Sequence, residues 1–227
     1  MATTAGHAVT SRRFELPAEA SDRSLRIALI AAITALVTFV VVCILSYGKS
    51  YLAEPVDLWW NDLMGDERTD VGLVVAWIPA VVGGPVWMLV IGLVIVGTFL
   101  FLRWKLAALM VAAAMVTSVI LASPLSFLVA KTRPEGSLAE SVPTSFPSGH
   151  TAMAATLAVI FGFMFHHWIA WVVGIVWVVL MAWGRTYLQA HWLTDVIAGA
   201  CLGVIAGCLV WYLVNTIRRR RAASSGS

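Results

Sequence analysis

Between Lys131 and Asp195 this chain carries three separated pieces, Lys131-Thr132-Arg133-Pro134, then Pro147-Ser148-Gly149-His150, then Arg185 with His191 and Asp195, and outside this stretch its long segments are mostly uncharged and apolar. Between them they supply a Lys, two Arg, two His and an Asp. That set is what phosphoryl transfer needs: cations for the phosphate oxygens, a nucleophile, an acid and an orienting carboxylate. His191 and Asp195 are four residues apart, a spacing that puts two side chains on one helical face. A carboxylate beside an imidazole fixes its tautomer and stabilises the cation that forms. Pro147–His150 precedes a long apolar run and so predicts a helix N-terminus, whose free N–H groups suit an anion. Gly149 lets the backbone approach an oxygen closely, and the Ser148 hydroxyl adds a donor. Each piece alone has a plainer reading. Ser145 or Ser148 fits a simple helix cap, Lys131 and Arg133 fit cations snorkelling at a membrane end, and the third piece fits an interfacial polar cluster. An Asp near the start of an apolar span is costly without a partner, which favours function for Asp195. Nothing near His166 and His167 argues for chemistry.

The elements that must position these residues are membrane spans. The chain has 227 residues, 60% hydrophobic and 12% charged, against about 25% charged in a soluble domain. The composition predicts an integral membrane protein, and the apolar segments taken in order predict an all-α fold, a six-transmembrane-helix bundle with a short interfacial helix. Its net charge of +3 comes largely from a terminal Arg run, which argues against nucleic acid as a partner. Cys43, Cys201 and Cys208 lie in apolar stretches without metal-ligand spacing and read as buried thiols.

Residues 1–24 are polar and read as a tail, 25–217 as the six-span domain, and 218–227 as a basic tail. The first span is Ile27–Tyr47, about 20 residues being enough to cross a bilayer core. Residues 48–70 are rich in acids (Glu54, Asp57, Asp62, Asp66, Glu67, Asp70), and Val56, Leu58, Trp59, Trp60, Leu63 and Met64 give an amphipathic pattern suited to the interface. Residues 71–102 are apolar but broken by Pro79, Gly83, Gly84 and Pro85. They divide into a partial helix, Val71–Val82, and a second span, Val86–Leu102. The third span is Leu106–Ala130, with a bend expected at Pro124. Ser148–Phe165 is the fourth, Trp168–Gly184 the fifth and His191–Ile217 the sixth. Arg185–Ala190 is a loop, and Asp195 lies one turn inside the last span.

Charge sets the expected orientation. Arg12, Arg13, Arg23, Arg26, Arg103, Lys105 and Arg218 to Arg221 share the side of both tails, ten of the 15 basic residues. Lys49, Arg68, Lys131, Arg133 and Arg185 share the other. The positive-inside rule puts both termini in the cytoplasm and the three polar pieces together on the extracytoplasmic face of the plasma (inner) membrane.

Taken together, the pieces resemble the type-2 phosphatidic acid phosphatase superfamily, whose pattern is Lys-x6-Arg-Pro, Pro-Ser-Gly-His and Ser-Arg-x5-His-x3-Asp. The second motif is complete at residues 147–150. The third matches at Arg185, His191 and Asp195, with Gly184 in place of the Ser. The first matches at Arg133 and Pro134, with Ser126 at the Lys position and Lys131 as the substitute cation. The resemblance covers roughly residues 27–217. It implies that His191 is the nucleophile and forms a phosphohistidine, that Asp195 orients it, and that His150 protonates the leaving oxygen. Arg133, Arg185, Lys131, Ser148 and the Gly149 N–H would hold the phosphate. No cofactor is expected, since Arg and Lys supply the positive charge. The expected substrate is a lipid phosphate or diphosphate: polyprenyl diphosphate, phosphatidate or phosphatidylglycerophosphate. The other classes are a catalytically silent lipid-binding or transport protein, and a vanadate-dependent oxidase. A transporter more often gathers polar groups at the bilayer midplane, and the membrane spans weigh against the oxidase.

Overall fold

A computed structural model describes residues 20–48, 51–139 and 142–225. Most of the N-terminal tail, with Arg12 and Arg13, and also Lys49 lie outside the described residues. The described chain is helical apart from its connections: α1 Asp22–Leu45, α2 Glu54–Asp66, α3 Asp70–Val82, α4 Pro85–Phe101, α5 Lys105–Val129, α6 Gly149–Phe165, α7 Trp168–Tyr187 and α8 Leu193–Ser225. Four of these, α1, α5, α7 and α8, are long and apolar enough to cross a membrane. A fifth crossing is available if α3 and α4, bent by 56° at their junction, form one broken span. Gly83 ends α3 and Pro85 opens α4, where its missing N–H costs no helical hydrogen bond.

The helices turn their apolar side chains outward. Ile30 of α1 is 64% exposed, Leu93 of α4 64% and Val173 of α7 62%. In water such a belt would drive aggregation, whereas in a bilayer it meets lipid. The interior is built on α6 and α8. Eleven of the 17 residues of α6 are buried, and α1, α5 and α7 surround the pair. What lets α6 and α8 approach is a stripe of glycines on α8. A Cβ on Gly199 would lie 2.4 Å from the Ser148 carbonyl oxygen, one on Gly203 2.2 Å from that of Ala152, and one on Gly207 2.8 Å from Val159 Cβ. This small-x3-small spacing is the membrane solution to close backbone packing. Below it, Phe163 stacks on buried Trp211 at 5.2 Å.

Several boundaries differ from the sequence expectation. α1 begins at Asp22, five residues before Ile27, because the Ser21 hydroxyl caps it by accepting from Ser24 N at 3.1 Å and Asp22 favours the first turn. The proposed tail boundary at residue 24 therefore falls inside a helix. α7 continues to Tyr187 and takes Arg185 into its last turn. α8 starts at Leu193, leaving His191 in the preceding turn, and runs on through Arg218–Arg221. Arg and Ala are good helix formers, so the basic tail extends the last helix. The Arg219 guanidinium binds the Asp22 carboxylate and the Ala20 carbonyl, which ties the end of α8 to the start of α1.

Candidate active site

At the opposite end of α8 from Arg219 five pieces converge: the start of α8, the end of α7, the start of α6, the loop after α5, and α2. α5 stops at Ala130, which adopts the left-handed conformation at φ 46°. The loop then folds back on itself: Ser145 N donates to the Lys131 carbonyl at 2.9 Å and Arg133 N to that of Pro143 at 3.1 Å. It returns to α6, where Ser148 is the N-cap and accepts from Thr151 N. Ser148 N donates to the Asp195 carbonyl at 3.0 Å, so the second and third motifs are joined through the backbone.

His191 is 4% exposed. Its Nδ1 lies 2.8 Å from the Ser145 carbonyl oxygen and 3.6 Å from Asp195 Oδ2. A carbonyl only accepts, so Nδ1 carries the proton and Nε2 keeps its lone pair. That is the tautomer a nucleophilic imidazole needs. The Asp195 carboxylate stands behind the ring as a nearby charge, its Oδ2 held by Trp192 N at 2.9 Å. The hydrogen bond that orients His191 thus comes from Ser145, a backbone group that no side-chain pattern announces. Burial pushes the His191 pKa below the ordinary histidine value; the Asp195 carboxylate opposes this, and the charges of Arg185 and Arg133 reinforce it.

Arg185 is 1% exposed. It shares a cavity of 380 Å³ with half-buried His150; Gly84, Pro85, Trp77 and Trp87 also line it. The turn from α2 to α3 is anchored beside it by Tyr187, whose hydroxyl donates to the Glu67 carbonyl at 2.9 Å and accepts from Thr69 N at 2.8 Å. Gly184 sits where α3 presses on α7: a Cβ there would lie 3.0 Å from Pro79 Cγ and 3.1 Å from the Ala76 oxygen. Arg133 clasps the loops, donating from Nε to the Val142 carbonyl at 2.9 Å, from Nη2 to that of Thr144 at 2.7 Å, and from Nη1 to that of Ala190. Its charge still reaches His191.

Lys131 departs from expectation. Its Nζ lies 2.7 Å from Asp57 Oδ2, 2.6 Å from Thr194 Oγ1 and 3.1 Å from Asp195 Oδ1. An ammonium has three N–H donors, and three oxygens receive them, so none remains for a phosphate. Trp192 and Tyr51 wall the ammonium in, their ring centroids at 5.7 and 4.6 Å. The expected substitute phosphate cation is instead a buried bridge between two carboxylates. Asp57 was only one acid among several in the stretch before α3, and no sequence signal separated it from its neighbours. Among the described residues no cluster of His, Cys, Asp and Glu is arranged to hold a metal ion.

A helix bundle with an apolar outer belt, a buried imidazole, a second histidine and two guanidinium charges gathered at one end defines an integral membrane protein with a cluster of polar side chains at one end of its helices. The chain belongs to the PAP2 superfamily, whose sequence model matches residues 104–219, about half of its length. It is 32% identical over 125 residues to an undecaprenyl-diphosphatase of Sulfolobus acidocaldarius, a match covering 52% of this chain and 58% of that protein. The chain thus spans less than two thirds of that relative's length. The fold resembles the crystal structure of a transmembrane PAP2 type phosphatidylglycerolphosphate phosphatase from Bacillus subtilis, with a TM-score of 0.72 and 22% identity over 81% of this chain and 95% of that one. It also resembles Aquifex aeolicus LpxE, with a TM-score of 0.58 and 24% identity over 68% of this chain and 93% of that one.

Proposed function

We propose that this protein is a membrane-embedded phosphatase that hydrolyses lipid phosphates or diphosphates through a phosphohistidine on His191. The observation that carries this is the 2.8 Å approach of His191 Nδ1 to the Ser145 carbonyl oxygen, an acceptor that assigns the proton to Nδ1 and leaves Nε2 nucleophilic. In the reaction Nε2 attacks phosphorus in line, the bond to the lipid oxygen breaks, and His150 protonates that oxygen. Water then attacks the phosphohistidine, its proton passes to His150, the P–N bond breaks, and His191 returns to its starting form. Arg185, Arg133, Ser148 and the Gly149 N–H hold the non-bridging oxygens, where charge stabilisation dominates phosphoryl transfer.

We count six crossings, adding α6 to α1, the α3–α4 pair, α5, α7 and α8. At 17 residues α6 is short, about 26 Å at the helical rise, but it lies inside the bundle and its N-cap joins the site at one membrane face. The extracytoplasmic orientation rests on the distribution of basic residues. A polyprenyl diphosphate is favoured by the name of the Sulfolobus relative, a glycerolipid phosphate by that of the Bacillus structure. Both have an apolar chain that could leave the phosphate cavity between helices. The test is phosphate release by purified protein from a panel of polyprenyl and glycerolipid phosphates. Release from at least one member, inhibited by vanadate as a mimic of the five-coordinate transition state, is the expected result. Binding of these lipids without release would establish a silent lipid-binding protein instead.

A further inference from the structure

The family motifs do not account for the buried carboxylate of Asp57. Asp57, on α2, is 0% exposed. Its Oδ1 accepts from Thr194 N at 2.9 Å, and its Oδ2 accepts from Thr194 Oγ1 at 2.8 Å and Lys131 Nζ at 2.7 Å. Thr194 is the second residue of α8, so a carboxylate from another helix caps the helix that presents Asp195. The same carboxylate shares Lys131 with Asp195.

We propose that Asp57 is a positioning residue for the His191–Asp195 pair, acting through Lys131 and Thr194. This rests on the phosphatase reading above and assigns a role to a side chain outside the three motifs. The argument is one of charge. Buried carboxylates need partners, and Lys131 is within reach of both. With Asp57 present, the two carboxylates and one ammonium leave a net negative charge beside the imidazole. That charge stabilises the positive charge that develops on His191 when Nε2 bonds to phosphorus. Without Asp57, Asp195 would be the one carboxylate left on Lys131, and the ammonium would cancel the charge that His191 relies on. The cap on Thr194 fixes where Asp195 sits, so charge and geometry are set by the same side chain.

The groups that bear on His191 come from several elements: Ser145 and Arg133 from the loop after α5, Arg185 from α7 and Asp195 from α8, with Lys131 bound to Asp195 and Asp57 of α2 behind Lys131. Tyr51, whose ring covers Lys131, stays a phenol, because burial and then the Asp57 carboxylate hold its pKa above the ordinary value. Asp57 and Lys131 can therefore be neutralised separately or together, which makes the charge argument testable.

The experiment uses full-length protein in detergent, with the lipid phosphate that the wild type turns over and with ¹⁵N-labelled histidine to follow the His191 ring. Asp57→Asn lowers kcat at least about tenfold and leaves KM within about twofold, because the loss lies in the transition state. The His191 titration midpoint moves to lower pH. Lys131→Met, which leaves two carboxylates, moves it to higher pH. The double variant Asp57→Asn/Lys131→Met restores the net charge, returns the midpoint toward wild type, and regains at least about threefold in kcat over Asp57→Asn. A purely structural cap would give additive losses and one common midpoint, and that result overturns the proposal. So does a kcat for Asp57→Asn within about twofold of wild type. Should Asp57→Asn fail to fold, comparison of Lys131→Met with the double variant reads the same charge effect. If the wild type hydrolyses no lipid phosphate, the phosphatase reading falls, while the histidine titration still decides whether Asp57 governs His191.

Discussion

A histidine that must act as a nucleophile has to be neutral at working pH and must present the correct nitrogen. The Ser145 carbonyl selects the nitrogen, and burial with the charges of Arg185 and Arg133 lowers the pKa of the ring against the opposing Asp195 carboxylate. Since the pKa of His191 is lowered, protonation that would silence it occurs below the ordinary histidine range. The acid limb of kcat/KM, which reports the free enzyme, is expected below pH ~6.5; a limb above that value would contradict the assignment. His191→Ala is expected to abolish both turnover and the acid-labile phosphoenzyme, measured by trapping with labelled substrate. Activity near wild type in that variant would remove His191 from the mechanism. At this scale the motif side chains were legible because polar residues are conspicuous in an apolar chain. The Ser145 carbonyl was not, since a backbone acceptor leaves no mark in the sequence. Nor was Asp57, because six acids between Glu54 and Asp70 look alike until one is buried.

Among the elements, the α6–α8 contact decides the site geometry, because Ser148 N on one meets the Asp195 carbonyl on the other. Gly199, Gly203 and Gly207 make that contact possible. Their spacing was visible in the sequence and is the signal that could have paired the two helices in advance. Helix existence was equally legible, since apolar runs of span length have few alternatives in a bilayer. The ends were less so: caps and terminal Arg residues extend α1 and α8 past their apolar cores. Gly203→Ala places a Cβ 2.2 Å from the Ala152 oxygen, a backbone atom that cannot yield cheaply, and overpacking of this kind costs about 1–3 kcal/mol. A lower melting temperature in detergent and reduced kcat are expected together. Gly184→Ser, which installs the residue the motif usually has, meets Pro79 and Ala76 at 3.0 and 3.1 Å and should destabilise less than Gly203→Ala. The reverse order of melting temperatures would mean that α3, not α8, sets the packing limit.

For the whole molecule, the question is which way the site faces. The Arg219 contacts with Asp22 and Ala20 place the start of α1 and the end of α8 together, and the polar site lies at the far end of α8. Lys and Arg are held on the cytoplasmic side during insertion, and Arg218 to Arg221 form the densest basic run in the chain. The site is therefore expected to open outward, with the lipid chain among the helices and its phosphate at the level of Arg185. Single cysteines read this directly once Cys43, Cys201 and Cys208 have been replaced. Glu135 is exposed in the loop between α5 and α6, and Ser224 is exposed near the end of α8. A cysteine at Glu135 should react with an impermeant thiol reagent in intact cells, and one at Ser224 only after the membrane is opened. The opposite labelling pattern would put the site in the cytoplasm; it would rule out action on lipid phosphates of the outer leaflet while leaving the His191 chemistry intact.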